Sequence, residues 1–163
     1  MRIAITGTPG VGKTIVAKRL AFRLKYELVR LNDVIKRKKL YDSYDKKFDT
    51  YVVDVKKLKS IRLPKDAIID SHLSHFLKSD VVIVLRCEPK ELEKRLKKKN
   101  WKREKVTENV EAELIGVISY EARKMHKNVF EIDTTSKSID KIVAEIESFL
   151  KNRKEYEKID WLV

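Results

Sequence analysis

Five short apolar runs, spaced along the chain, predict five β-strands. Residues 2–6 are rich in β-branched side chains and end at Gly7, as is typical of a strand that enters a turn. Residues 66–70 and 80–85 are apolar without alternation, which indicates strands covered on both faces of a parallel sheet. The remaining two predicted strands are residues 27–31 and 128–132.

Between these runs, apolar residues recur every three or four positions, which predicts amphipathic helices. The pattern is clearest in residues 13–24, and residues 104–124 predict one long helix. Pro89 suits the first turn of a helix that continues through Leu92 and Leu96. Strands that alternate with helices predict an α/β fold, with a five-stranded parallel sheet flanked by helices.

Two polar residues are placed where a helix would begin. Asn32 is expected to cap a short helix that runs toward residue 39, and Ser138 is expected to cap the last helix. Residues 40–50 are polar and aromatic and follow no clear period. The tail from residue 151 is charged as far as residues 161–163, so we expect it either to pack back or to serve a partner.

Length and charge narrow the class of protein. The chain has 163 residues, so we expect a single domain over residues 1–163. Its net charge of +13 favours an anionic partner such as a nucleotide or a nucleic acid. A single cysteine, Cys87, excludes a disulfide framework within the chain and agrees with the cytoplasm. No apolar run approaches a membrane span, so no membrane partner is expected.

The composition also resembles that of hyperthermophile proteins. The chain contains no glutamine and is rich in lysine and glutamate. Codon bias of the lineage is the alternative explanation. The cytoplasmic, thermophilic character is therefore an expectation from composition alone.

The strongest chemical signal is the segment GTPGVGKT at residues 7–14, which matches the pattern G-x-x-x-x-G-K-[ST]. It lies between a predicted strand and a predicted helix, the context that a phosphate-binding loop requires. Successive backbone N–H groups and the helix N-terminus attract phosphate. Lys13 is placed to reach the β- and γ-phosphates of ATP, and the Thr14 hydroxyl is placed to hold Mg²⁺.

A carboxylate at the end of a neighbouring strand would complete a magnesium site. Asp70 ends the apolar run at residues 67–69, and His72 follows two residues later. We predict that Asp70 acts on the metal directly or through water. His72 is a candidate for positioning water or a phosphate. The alternatives are a turn residue for Asp70 and a structural or exposed histidine for His72.

Together the motifs resemble one family of proteins. GTPGVGKT, the segment LYDSYDKKFD, the D-x-H of Asp70 and His72, and the stretch 85–109 are similar to the adenylate kinase isoenzyme 6 family, also described as coilin-interacting nuclear ATPases. The resemblance implies a P-loop nucleoside monophosphate kinase fold, with an NMP-binding segment at about residues 30–53 and a short lid at about residues 98–108.

The resemblance also implies an activity and partners. It implies adenylate kinase activity, in which ATP and AMP yield two ADP with Mg²⁺, together with ATP hydrolysis. It further implies a role in small ribosomal subunit maturation, beside a ribosomal protein of the uS11 type and near rRNA. The alternative is a nucleotide-switched assembly factor for which kinase activity is incidental. A P-loop kinase for another small acceptor is a third possibility.

Residue roles carry over from the family by position. ATP would contact Gly10, Val11, Gly12, Lys13, Thr14, Ile15 and the lid residues Lys99, Arg103 and Lys105. The phosphoryl acceptor would contact Asp33, Tyr41, Tyr44 and Arg86. Lys13, Asp70 and His72 would be catalytic, with Thr14 and Asp70 on the metal. For Tyr41 and Tyr44, core packing is the alternative, and Trp101 would either stack on a base or pack the lid hinge.

The lid departs from the family pattern. Lys99 and Asn100 stand where the family tends toward arginine and glycine. Lysine lacks the planar, bidentate donor of arginine, so the phosphate contacts of this lid are expected to differ.

Overall fold

The sheet contains all five predicted strands, in parallel. The computed structural model describes residues 1–153 and 156–163. The strands are β1 (Arg2–Thr6), β2 (Glu27–Arg30), β5 (Ala67–Asp70), β6 (Val81–Arg86) and β7 (Val129–Asp133), in the order β2-β5-β1-β6-β7. β1 lies at the centre of the sheet, and the chain continues first to β2 and β5 on one side of it and then to β6 and β7 on the other. This switch point leaves a crevice at the carboxyl ends of the strands.

The helices cover both faces of the sheet. They are α1 (Lys13–Leu24), α2 (Leu31–Arg37), α3 (Val55–Leu58), α4 (Pro89–Lys97), α5 (Arg103–Ile115), α6 (Val117–Met125) and α7 (Ile139–Asn152), with a 3₁₀ turn at Ser74–Phe76. Pro89 occupies the first turn of α4, and the Ser138 side chain accepts a hydrogen bond from Lys141 N, as predicted. Among the described residues, no helix is both long and apolar enough to cross a membrane.

Two helix predictions are wrong. The single helix over residues 104–124 is broken into α5 and α6 by Gly116, whose φ of 71° is left-handed. Asn32 caps no helix, because α2 already begins at Leu31. The Asn32 side chain instead accepts a hydrogen bond of 2.7 Å from the Ser71 hydroxyl.

An antiparallel hairpin occupies most of the segment for which no period was found. Its strands are β3 (Tyr41–Asp45) and β4 (Thr50–Val53), and they form a separate two-stranded sheet. The rings of Tyr41 and Tyr51 lie 4.5 Å apart, and those of Tyr44 and Tyr51 lie 5.3 Å apart. Cross-strand aromatic pairs of this kind stabilise a hairpin.

The described part of the C-terminal tail, residues 156–163, packs back onto the domain, which is one of the two expected outcomes. The Tyr156 ring lies 4.2 Å from Phe130 and 5.6 Å from Phe149. Farther along, the Trp161 indole N–H donates to Glu113 Oε1 over 3.0 Å. The tail therefore contacts both β7 and α5.

His75 is buried, although the sequence shows no partner for it. Its Nδ1 lies 2.8 Å from the Thr6 hydroxyl, and its Nε2 lies 2.9 Å from Glu121. Half-buried His126 is hydrogen-bonded to the His75 carbonyl over 2.6 Å. Burial lowers the pKa of His75, against the opposing effect of Glu121.

Candidate nucleotide-binding site

The phosphate loop, residues 7–14, connects β1 to α1 and has a conformation that only glycine accepts easily. Gly7 has φ 143°, and a Cβ there would lie 2.4 Å from the Leu85 carbonyl oxygen. Gly12 has φ 100° and stands directly before the first residue of α1. The turn therefore directs backbone N–H groups and the α1 N-terminus to one place, as an anion requires.

Lys13 extends across this loop. Its Nζ donates to the Thr8 carbonyl over 3.1 Å. Burial lowers the pKa of Lys13 to about 8, with the charge of Lys99 acting in the same direction and Asp70 opposing it. The Lys13 ammonium group therefore loses its proton at a lower pH than an ordinary lysine does. A bound anion would raise this pKa and so restore the full positive charge.

One cavity of about 1300 Å³ opens at this edge of the sheet. It brings together most of the predicted site residues: Gly10, Val11, Gly12, Lys13, Thr14, Ile15, Asp33, Tyr44, Asp70, His72, Lys99 and Lys105. Arg95 and Trp101 also line it. Three predicted contacts do not line it: Tyr41, Arg86 and Arg103.

Asp70 ends β5 and His72 lies two residues beyond it, next to the phosphate loop. Asp70 is 6% exposed and is the register partner of Ile5 on β1 and of Arg30 on β2. Burial lowers the pKa of His72 to about 4, and the positive charge of Lys13 adds to the effect. His72 is therefore neutral at physiological pH, so it accepts or donates one hydrogen bond without carrying charge.

The residues present fit a magnesium ion. Among residues 1–153 and 156–163 no group of three or more His, Cys, Asp or Glu side chains could hold a metal on its own. Mg²⁺ does not need such a group, because it usually takes one or two carboxylates together with water and substrate phosphates. The Asp70 carboxylate and the Thr14 hydroxyl, both oxygen donors in the same cavity, match that requirement.

The hairpin and the predicted lid touch each other across the cavity. Lys102 Nζ donates to the Lys46 carbonyl over 2.7 Å, and Lys105 Nζ donates to the Asp49 carbonyl over 2.9 Å. Lys105 also lies 4.0 Å from the centre of the Trp101 ring. Trp101 packs against the core cluster and also lines the cavity, so stacking on a bound base stays a prediction.

Arg86 lies apart from the cavity, contrary to its predicted role as a substrate contact. It is 2% exposed and forms ion pairs with Glu113 over 2.8 Å and with Glu131 over 2.7 Å. Its guanidinium also donates to Ser119 and to the Ile159 carbonyl. Because all these donors are used inside the protein, Arg86 is a structural residue in this conformation.

The other two predicted contacts also lie outside the cavity. Tyr41 packs against the cluster around Leu31 and Leu58, which is the core alternative that its sequence context left open. Arg103 is an exposed residue at the start of α5.

Several cavity residues went unrecognised as site residues in the sequence. Arg30 ends β2, Thr134 and Lys137 follow β7, and Asn109 lies on α5. The first three share one signal, since the carboxyl ends of parallel strands meet at the same edge of a sheet. Asn109 carries no such signal, because its place depends on how α5 is oriented.

Binding of ATP is expected to take up a proton at alkaline pH. With a pKa of about 8, Lys13 is half-charged at pH 8, and the negative phosphates would raise that pKa. Relative to a Lys13→Arg variant, in which ATP itself releases the same protons, we expect an extra uptake of about half a proton at pH 8 and close to none at pH 7. Calorimetry with metal-free ATP, in two buffers of different ionisation enthalpy, measures this number.

The matched control for proton uptake is Lys13→Arg, which keeps the charge at both pH values and should abolish the uptake. Equal proton numbers in the unmodified protein and in Lys13→Arg at pH 8 would contradict the assignment to Lys13.

Comparison with known proteins agrees with this geometry. Residues 3–116 match the family model described as "AAA domain". The chain is 42% identical to a protein named "Putative adenylate kinase" from Methanocaldococcus jannaschii, over 99% of the chain and 93% of that relative. It is 40% identical to a protein of the same name from Archaeoglobus fulgidus, over 99% of the chain and 92% of the relative.

Solved structures share the fold at low sequence identity. Deoxyadenosine kinase from M. mycoides with bound dATP aligns with a TM-score of 0.63 at 18% identity, over 93% of this chain and all of the other. Shikimate kinase from Acinetobacter baumannii with shikimate aligns with a TM-score of 0.66 at 17% identity, over 95% of each chain. The fold is therefore one that small-molecule kinases use.

Proposed function

Since the chain belongs to the adenylate-kinase-like family of P-loop nucleoside monophosphate kinases, we propose that it transfers the γ-phosphoryl group of ATP to AMP. The observation that carries the proposal is the single cavity of about 1300 Å³ that joins the phosphate loop to the hairpin. Pockets for one small ligand usually measure about 300–1,000 Å³. This cavity therefore has room for a donor and an acceptor nucleotide.

The donor would bind at the phosphate loop. The glycine turn and the α1 N-terminus supply N–H donors, and Lys13 supplies a positive charge beside them. Arg95 and Lys99 line the same end of the cavity and would offset further phosphate charge. The concentration of donors around one loop favours a triphosphate over a single phosphate.

The acceptor would bind between α2 and the hairpin. Arg30 and Lys36 line that part of the cavity and would pair with a monophosphate. Tyr44 and Tyr51 offer aromatic faces to a base, and Asp33 offers a carboxylate to its amino group. Residues 30–53 would thus act as the NMP-binding segment.

Catalysis would depend on positioning and charge rather than on a covalent intermediate. Thr14 and Asp70 would hold Mg²⁺, which when bound neutralises phosphate oxygens. Lys13 would stabilise the charge on the transferred group, since its ammonium regains full charge next to phosphate. Neutral His72 would orient the acceptor or a water molecule by one hydrogen bond.

The segment 98–108 would act as the lid. Its contacts with the hairpin through Lys102 and Lys105 use backbone carbonyls at the tip of the hairpin. A closed lid excludes water from the phosphates, which favours transfer over hydrolysis. Slow ATP hydrolysis without an acceptor is expected when the lid contacts are broken.

A second candidate is a nucleotide-switched assembly factor for the small ribosomal subunit, with a uS11-type protein as partner and rRNA nearby. Residues 36–39 are four consecutive basic side chains, all exposed, and the net charge is +13. Such a surface suits RNA phosphates as well as it suits solvent. ATP-dependent capture of a purified uS11-type protein, with little stimulation by AMP, would favour this candidate.

The acceptor is tested with a panel of nucleoside monophosphates and small hydroxy metabolites. We expect AMP to stimulate ADP formation at least tenfold over ATP alone, with two ADP formed per AMP consumed. Stoichiometry measured by chromatography separates transfer from hydrolysis. Stimulation by a different acceptor would point to another P-loop kinase activity and would contradict the assignment to AMP.

A further inference from the structure

The end of the chain returns to a buried carboxylate on α5. Glu113 is 3% exposed, and its Oε1 accepts three hydrogen bonds. The donors are Arg86 Nε over 2.8 Å, Cys87 N over 3.1 Å and the Trp161 indole N–H over 3.0 Å. The tail thus supplies one of the three donors on that oxygen.

The other oxygen of the same carboxylate reaches the phosphate loop. Glu113 Oε2 accepts from the Thr8 hydroxyl over 2.7 Å. The carbonyl of Thr8 in turn accepts from Lys13 Nζ over 3.1 Å and from Val11 N over 3.3 Å. Glu113 therefore connects the tail to Thr8, whose carbonyl binds both the loop backbone and the Lys13 side chain.

The tail also covers this network from solvent. The Trp161 ring lies over the Arg86 guanidinium, 5.7 Å from its centre, and the Ile159 carbonyl accepts from Arg86 over 2.9 Å. A buried carboxylate keeps a fixed orientation only while its hydrogen bonds are made and water is kept out. Loss of the indole would expose the Glu113–Arg86 pair and remove one of the three donors on Glu113 Oε1.

We propose that Trp161 is a positioning residue for the phosphate loop, acting through Glu113 on Thr8. This rests on the proposed binding of ATP at that loop, but not on the identity of the acceptor. The indole N–H, together with Arg86 Nε and Cys87 N, fixes one carboxylate oxygen, so the second oxygen stays aimed at the Thr8 hydroxyl. Nucleotide affinity is thereby linked to the C-terminal segment, which is far from the phosphate loop in sequence.

The test is a double-mutant cycle with ATP affinity as its readout. Trp161→Phe keeps the ring but removes the N–H, and Thr8→Val keeps the shape of Thr8 but removes its hydroxyl. We expect each variant to weaken the binding of Mg·ATP about fivefold. Because both changes break one chain of contacts, the double variant should bind about as weakly as Thr8→Val alone.

Several outcomes would overturn the proposal. Trp161→Phe with a lowered melting temperature and unchanged ATP affinity would leave Trp161 a merely structural residue. Additive losses in the double variant, or normal affinity in Thr8→Val, would remove the path through Glu113. Leu162→Ala is the matched control in the tail, because Leu162 is exposed. The ATP affinity and the melting temperature of this variant should not change.

The failure of this proposal is distinguishable from the failure of the proposed function. A chain that binds ATP with the expected cycle, yet moves no phosphoryl group to AMP, would overturn the assignment of AMP as acceptor alone. A wild-type chain that binds no ATP would overturn both.

Discussion

Replacing Lys13 by alanine is expected to abolish AMP phosphorylation and ATP hydrolysis together. Lys13 is the one predicted catalytic cation whose Nζ lies on the phosphate loop itself, bonded to the Thr8 carbonyl. Removing a preorganised charge of this kind usually lowers kcat by about 10²–10³. Both reactions should fall by the same factor, because both break the same bond of ATP.

Lys18→Ala is the matched control, since Lys18 is an exposed lysine on the same helix. Its two rates should remain at the level of the unmodified protein. Steady-state rates of ADP and phosphate release, measured with and without AMP, give the comparison. Turnover retained in Lys13→Ala would contradict the mechanism, provided that circular dichroism shows a folded chain.

Replacing Arg86 by methionine is expected to cause the largest loss of stability. The substitution leaves Glu113 and Glu131 buried without their main cation, and the Glu131 side chain is fully buried. Removing one partner of a buried ion pair costs about 3–5 kcal/mol. Denaturant unfolding should show this loss, while the KM for AMP of the folded fraction should stay unchanged.

Arg19→Met is the control for this loss, because Arg19 forms an exposed ion pair with Asp140. An exposed pair contributes about 0–1 kcal/mol, so its free energy of unfolding should hardly change. If Arg86→Met left the free energy of unfolding unchanged and only raised the KM for AMP, Arg86 would be a substrate contact after all.

Strands β5 and β6 were predictable from the sequence because they are buried on both faces. Residues 81–85 have no polar position, and no helix period fits them. The hairpin was not predictable in the same way. Tyr44, Tyr51 and Val52 are all exposed, so β3 and β4 lack the alternation that a half-buried strand would have.

The phosphate loop and Asp70 were predictable because local sequence dictates their chemistry. A glycine turn needs no distant partner, and Asp70 ends a run that is plainly a strand. The structural role of Arg86 was not predictable, because its partners Glu113 and Glu131 lie 27 and 45 residues away along the chain. The same holds for Trp161, whose contact with Glu113 spans 48 residues.

The most direct test of the central claim follows the γ-phosphoryl group of labelled ATP. The protein is mixed with Mg²⁺, γ-labelled ATP and AMP, and the products are separated within a single turnover. We predict that most of the label appears in ADP formed from AMP, and that Lys13→Ala forms none. Label found mainly in inorganic phosphate, at the same rate with and without AMP, would contradict a kinase and leave an ATPase.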